Sequence, residues 1–195
     1  ALVVKLGTAM AGKIIAPDGN ITDNFEEIRQ IIVETSADAL TQSYTGVKGT
    51  LRSYATAEGV AALAQKVTGR RLSYSQLVSL LDSPTPQEAK QVFELSGVYL
   101  ARGLVKLHHI FGNRQVILSG KNLEGPQGDI IIRALMRTLQ EEYPGMDLEV
   151  KKSDTDADYL VAAGAAYLAG LAHLQNNEYA QQGKLYGLTP TELAD

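Results

Sequence analysis

RQVILSGKNLEGPQGDIIIRALMRTLQEEYPG, residues 114–145, carries the fold signal of this chain. Val116, Ile117 and Leu118 form a short apolar run ending at Ser119-Gly120, the pattern of a buried strand in a parallel sheet. A loop with Gly125, Pro126 and Gly128 follows. Ile130, Ile131, Ala134, Leu135, Thr138 and Leu139 then recur at helical spacing, and Pro144-Gly145 stops that helix. Leu148 and Val150 read as a second strand. Such a strand–loop–helix–strand unit implies an α/β sheet whose ligand edge lies at the C-terminal ends of its strands. The long helix before it and the small-residue helix after it are expected to pack on that sheet.

A chain of 195 residues can bury a core in one or two lobes. Its net charge of -4 gives no general attraction to nucleic acid or to an anionic membrane. With no cysteine there is no disulfide and no thiolate metal site. No apolar run reaches the roughly 20 residues of a membrane span. Ala1–Leu6 is strand-like and not a signal peptide, and a cytoplasmic location is the simplest expectation. The chain opens in mid-strand without an initiator Met, as a fragment or a single domain would.

From the start, Leu2–Leu6 reads as a strand, Gly7–Gly12 as a small-residue turn and Lys13–Ala16 as a second strand, with a reversal at Pro17-Asp18-Gly19-Asn20. Gly7 to Lys13 spells G-x-x-x-x-G-K, the opening of a phosphate loop. Ile14 stands where a Ser or Thr should reach the metal, and a strand follows where a helix N-terminus is needed. A tight turn between paired strands is the plainer reading. Ile31-Ile32-Val33 is expected to form a strand and Ser36–Gly49 a loop. Leu51–Val67 is expected to be helical, as is Leu72–Leu81, capped by Ser73. A long helix should run from Pro86, capped by Thr85, to about Phe111. A final small-residue helix is placed at Asp158–Leu174. The organisation is then a β-rich start (1–35), a helical insertion (36–113), an α/β unit (114–174) and a tail (175–195).

In this order the fragments resemble the second half of a ROK protein, the group of repressors, open reading frames and sugar kinases. The family's phosphate turn L-G-T-G-I-G-A-G-I-I is similar to Leu6-Gly7-Thr8-Ala9-Met10-Ala11-Gly12-Lys13-Ile14-Ile15. Gly7 and Thr8 match. Ala9, Ala11 and Lys13 replace glycines that let the backbone approach phosphate, and Lys13 could supply charge instead. The family's A-G-E-I-G-H resembles Phe25-Glu26-Glu27-Ile28-Arg29-Gln30, with Glu27 matching the sugar-contacting Glu and Gln30 replacing the His. The zinc segment C-x-C-G-x-x-G-C-L-E-x-Y-A-S is similar to Ser43 through Thr56. Gly46, Gly49, Leu51, Tyr54 and Ala55 keep its frame. Ser43, Thr45 and Thr50 replace its cysteines, and Arg52 replaces its sugar-contacting Glu. The adenosine-contacting I-V-L-G-G-G-V resembles Val116–Asn122, where Gly120 survives between Ser119 and Lys121.

The resemblance implies an α/β fold, the actin-like ATPase (ribonuclease H-like) lobe with a mixed sheet flanked by helices. It implies sugar binding at Glu27, Gln30 and Arg52, and nucleotide binding at Gly7, Thr8, Lys13, Ser119, Gly120 and Lys121. Zinc is expected to be absent, since hydroxyl side chains are poor zinc ligands. In the family the catalytic Asp and another phosphate turn come from the first half, and phosphoryl transfer needs both lobes. The implied role is a sugar-sensing or assembly domain without catalysis of its own, as a homodimer that binds a small-molecule sugar and makes no direct contact with nucleic acid. No cofactor is expected in this chain. The alternative is the C-terminal lobe of a divergent sugar kinase, whose full-length parent would use ATP and Mg²⁺.

Other candidates are weak. His108 and His109 are adjacent on a helix, point in different directions and read as a helix end. Asp154, Asp156 and Asp158 alternate as in a calcium loop, but lack its Gly and its closing Glu. Lys151-Lys152 reads as a solvated pair.

Overall fold

The computed structural model describes residues 1–16, 21–22 and 27–153. The expected reversal at Pro17–Asn20, the acidic alternation from Asp154, the helix at Asp158–Leu174 and the tail lie outside the described residues.

Five strands form one mixed sheet: β1 (Leu2–Leu6), β2 (Met10–Ile15), β3 (Ile21–Thr22), β4 (Gln115–Ser119) and β5 (Glu149–Lys152), in the order β3-β2-β1-β4-β5. β1 is antiparallel to β2 and parallel to β4, which is parallel to β5. Leu2, Val4 and Leu6 alternate into the core, as the period of a strand requires. The change from antiparallel to parallel pairing at β1 follows from the connections. A three-residue turn, Gly7-Thr8-Ala9, joins β1 to β2, whereas a helical excursion separates β1 from β4. β2 starts at Met10, three residues before the strand expected at Lys13. Gly12 lies inside it because Ile28 packs over the position, where a Cβ would collide with Ile28 Cδ1.

Ile31–Val33 is not a sheet strand. Ile28–Gln30 forms a single 3-10 turn, and the chain after it is extended. Leu51 N–H donates to Ile31 O at 2.8 Å and Val33 N–H to Gly49 O at 2.7 Å, around one bridge, Ile32 with Thr50. The three apolar residues therefore pair with the loop before the first helix and leave the sheet edge alone.

The helices are α1 (Arg52–Ala55), α2 (Ala57–Thr68), α3 (Tyr74–Leu80), α4 (Gln87–Phe111) and α5 (Gly125–Glu142). The helix expected over Leu51–Val67 breaks at Thr56, which is extended (φ -86°, ψ 164°) and caps α2 by accepting from Gly59 N–H at 3.1 Å. Ser73 caps α3 in a reciprocal pair with Gln76. Thr85 does not cap α4; Pro86 holds the cap position and no side chain bonds there. The loop expected at Gly125–Gly128 is the first turn of α5, preceded by a 3-10 turn at Lys121–Leu123. Gly128 fits there because a Cβ would strike the Leu123 carbonyl.

Val92, Phe93, Leu100, Leu104 and Leu107 of α4 are fully buried, each contributing about 1.5–3 kcal/mol relative to exposure. α4 packs against α1, α2, α3 and α5, and at Gly97 a Cβ would run into the Ile131 carbonyl. This explains its apolar excess. The apolar face of α4 is covered within the chain, and Ile110 is its one large hydrophobic left exposed. No helix among the described residues is long and apolar enough to cross a membrane.

Candidate functional site

Two groups of candidate residues come together, at neighbouring parts of the fold. The first lies at the C-terminal ends of the parallel strands β1 and β4. Gly7 and Thr8 occupy the turn after β1, closed by Gly7 N–H donating to Ala9 O at 3.0 Å. Ser119 ends β4, Gly120 follows with φ +112°, and Lys121 opens the next 3-10 turn. Gly120 lies so close to β1 that a Cβ would overlap the Leu6 carbonyl oxygen. This is the reason for glycine there, and it sets Ser119–Lys121 beside the Gly7 turn. Lys13 is placed elsewhere: it faces Val3 along β2, whereas Leu6 faces Met10 at the turn. At about 3.3 Å per residue, three residues separate it from the turn by roughly 10 Å.

Asn122 joins this edge together, and the sequence reading did not single it out. Its side-chain amide donates to Gly7 O at 3.1 Å and to Ala55 O at 3.3 Å. The main-chain carbonyl of Asn122 accepts from the Tyr74 hydroxyl at 3.2 Å. Ala57 N–H also donates to Gly7 O, at 3.0 Å. Strand, turn and the α1–α2 break are thus fixed through one buried amide. Burial is also the main cause raising the Tyr74 hydroxyl pKa well above its usual value.

The second group is Glu27, Gln30 and Arg52. Ile28 over Gly12 anchors the 3-10 turn that carries Glu27 and Gln30 to β2. The Ile32–Thr50 bridge and the Leu51-to-Ile31 bond hold the stretch after Gln30 against the stretch before Arg52. Glu27 accepts from Arg29 Nε and Nη2, both at 2.8 Å. That bond is the first cause raising the Arg29 guanidinium pKa. Arg52 Nη2 bonds Glu58 at 3.2 Å, and its guanidinium stands 4.9 Å from the Tyr44 ring centre. The Oε1 of Gln30 is buried without a partner among the described residues. Tyr44 and Arg29 were not anticipated; an exposed aromatic beside two arginines leaves no periodic signal in sequence.

In the loop carrying Ser43, Thr45 and Thr50 each hydroxyl has a partner of its own. Ser43 Oγ bonds Glu58, Thr45 Oγ1 bonds Gln42, and Thr50 Oγ1 pairs with Ser53 Oγ in the core. The three hydroxyls spend themselves in three directions, and none is a zinc ligand type. Among the described residues no three His, Cys, Asp or Glu side chains gather in one place. Buried Gln42 organises the loop instead, donating to the Tyr44 hydroxyl at 2.6 Å and accepting from Thr45. His108 Nδ1 is spent on Asn113 O at 2.7 Å, at the end of α4.

The same fold occurs in solved proteins. A ROK hexokinase from Thermus thermophilus superposes with a TM-score of 0.63 at 19% identity, over 80% of this chain and 52% of that one. The chain has the fold of the ROK proteins. A ROK glucokinase from Streptomyces griseus, solved with glucose and AMPPNP, gives 0.64 at 14% identity, over 80% and 56% of the two chains. A ROK transcriptional regulator, a homologue of the Escherichia coli MLC protein, gives 0.57 at 13%, over 77% and 41%. The chain spans about half the length of these structures. The architecture is accordingly the actin-like ATPase fold, with its mixed sheet flanked by helices. No protein-family model matches the sequence, and no curated protein matches it.

Proposed function

We propose that this chain is a sugar-sensing or assembly lobe of a ROK-type carbohydrate protein and carries no phosphoryl-transfer activity of its own. The observation behind this reading is the state of the carboxylates at the sugar edge. Glu27 is held by two arginine N–H groups and Glu58 by Arg52 and Ser43. The family resemblance assigns the general base to an Asp of the other half, so neither glutamate is counted as the base. Two carboxylates occupied by arginine are placed to hold structure. The edge then binds through Gln30, Arg52 and the Tyr44 ring. The homodimer belongs to the same reading, with exposed Ile110 and Met136 as the apolar residues available to it. A cytoplasmic location is part of it too.

A second reading is the C-terminal lobe of a divergent ATP-dependent sugar kinase. The fit of Gly120 on Leu6 and the Asn122 clamp on Gly7 support it, because they keep a compact edge at the strand ends where a nucleotide phosphate chain could lie. Gly7, Thr8, Ser119, Gly120 and Lys121 would hold the nucleotide, and bound Mg²⁺ would neutralise phosphate charge during transfer. A coupled assay with Mg-ATP and a panel of hexoses and amino sugars separates the two. The first reading expects no turnover above background; turnover by the chain establishes the second.

A further inference from the structure

We propose that two copies of the chain pair antiparallel through the outer edge of β5, centred on Val150; this rests on the homodimer reading above and assigns its interface. β5 ends the sheet, and among the described residues only β4 pairs with it. Glu149 N–H donates to Arg114 O at 2.8 Å and Ser153 N–H to Leu118 O at 2.7 Å. Main-chain groups alternate in direction along a strand, so those of Val150 and Lys152 face outward. An open row of such groups is a template for a further strand.

Charge selects which strand. Lysines on an edge oppose pairing with an arbitrary strand, but Glu149-Val150-Lys151 is its own complement. Centred on Val150, an antiparallel pair sets Glu149 opposite Lys151 of the second copy, and Lys151 opposite its Glu149. Within one chain Lys151 Nζ already meets Glu149 Oε1 at 2.7 Å, with both side chains more than half exposed. Pairing closes the two couples into a ring of alternating charge. A centre on Lys151 sets like charges face to face, as does one on Glu149, and both registers are disfavoured. In the favoured register Val150 N–H donates to Val150 O across the axis, and Lys152 N–H to Leu148 O of the second copy. Leu148 N–H is already bonded to Met146 O at 3.0 Å. Lys152 directs its own charge onto Asp129 of α5 at 3.5 Å.

The same edge carries an open apolar surface. Met136, Leu139, Tyr143, Met146 and Leu148 line a groove of about 400 Å³ beside β5, and Met136 is 44% exposed. Residues opposite each other in an antiparallel pair share a face of the sheet. The two α5 helices therefore come to the same side of one continuous sheet, groove against groove. Main-chain bonds and the groove supply the affinity. The exposed charges fix the register, since surface ion pairs alone contribute little.

Sedimentation equilibrium and amide hydrogen exchange of the full chain, at low salt and over a dilution series, test this. The Val150 and Lys152 amides should become about tenfold more protected as the dimer forms. Glu149→Lys and Lys151→Glu should each raise the dissociation constant about tenfold. An equimolar mixture of these two variants should restore association, because every facing couple is again of opposite sign; misfolding of either variant cannot produce that result. The double reversal, Glu149→Lys with Lys151→Glu, should associate like the unaltered chain. A dimer whose affinity neither single reversal changes would overturn the β5 edge and leave the homodimer reading standing. Protection of both amides at every dilution would show the edge covered within one chain and overturn it as well. Mixed variants that stay apart would do the same. A monomer at every concentration would overturn both readings.

Discussion

The Asn122 side-chain amide donates to the Gly7 carbonyl at 3.1 Å, linking residues 115 positions apart. With its second bond to Ala55 O it fixes the turn after β1 to the helix break at Thr56. Asn122→Ala removes both donors from a site that is 3% exposed and leaves the Ala55 carbonyl short of this partner. The expected loss is about 1–3 kcal/mol, read as a lower urea midpoint with the slope unchanged.

Gly120→Ala should cost more. The residue sits at φ +112°, and an added Cβ would overlap the Leu6 carbonyl oxygen, which is backbone and has little freedom to move. Strain of about 1–3 kcal/mol from the dihedral alone adds to displacement of β1 from β4. Loss of cooperative unfolding, or a midpoint lower than that of Asn122→Ala, is expected. Gly112→Ala is the control, because its left-handed glycine has open space around the Cβ position.

The Tyr99 hydroxyl should ionise late. Burial, reinforced by its hydrogen bond to Glu34 at 3.0 Å, pushes its pKa up to about 12. The folded state then holds this proton more tightly than the unfolded chain, whose tyrosines titrate near 10. The associated stability is fully present below about pH 10 and is lost as pH rises through about 12. An ultraviolet titration of tyrosinate, compared with Tyr99→Phe, should show one late-titrating group missing from the variant.

Light scattering at micromolar concentration should give the mass of a dimer that weakens on dilution. Ile110→Lys together with Met136→Lys, both at exposed positions, should shift the mass to that of one chain without lowering thermal stability. A monomer at every concentration would show that the exposed apolar residues are not an interface.

Much of the frame was legible from local pattern. β1, β4, the buried face of α5 and the Ser73 cap follow from alternation, apolar runs and capping chemistry that each act over a few residues. The misreadings share one cause, which is tertiary contact. Gly12 looks like part of a turn until Ile28 fills the space above it. Ile31–Val33 looks like a sheet strand until its backbone bonds go to Gly49 and Leu51. The break at Thr56 had a local sign, a Thr followed by Glu58 in the first turn of α2, hidden among alanines. At the site, Gly7 and Gly120 were found through the family resemblance, and Gly120 stands where close backbone contact demands glycine. Asn122 and Tyr44 were missed because an amide that joins two distant carbonyls, or a ring held by a loop, is defined only once the chain has folded.

The central claim is that Gln30, Tyr44 and Arg52 form a sugar-binding edge. Amide and arginine side-chain chemical shifts of the ¹⁵N-labelled chain, recorded during titration with glucuronate and with glucose, test it most directly. The predicted result is a set of saturable shifts confined to Arg29–Gln30, Gln42–Thr45 and Arg52 with at least one of the two sugars. Shifts confined to the outer groove of α5 around Arg133 and Met136, or no saturable shifts with either sugar, would contradict it.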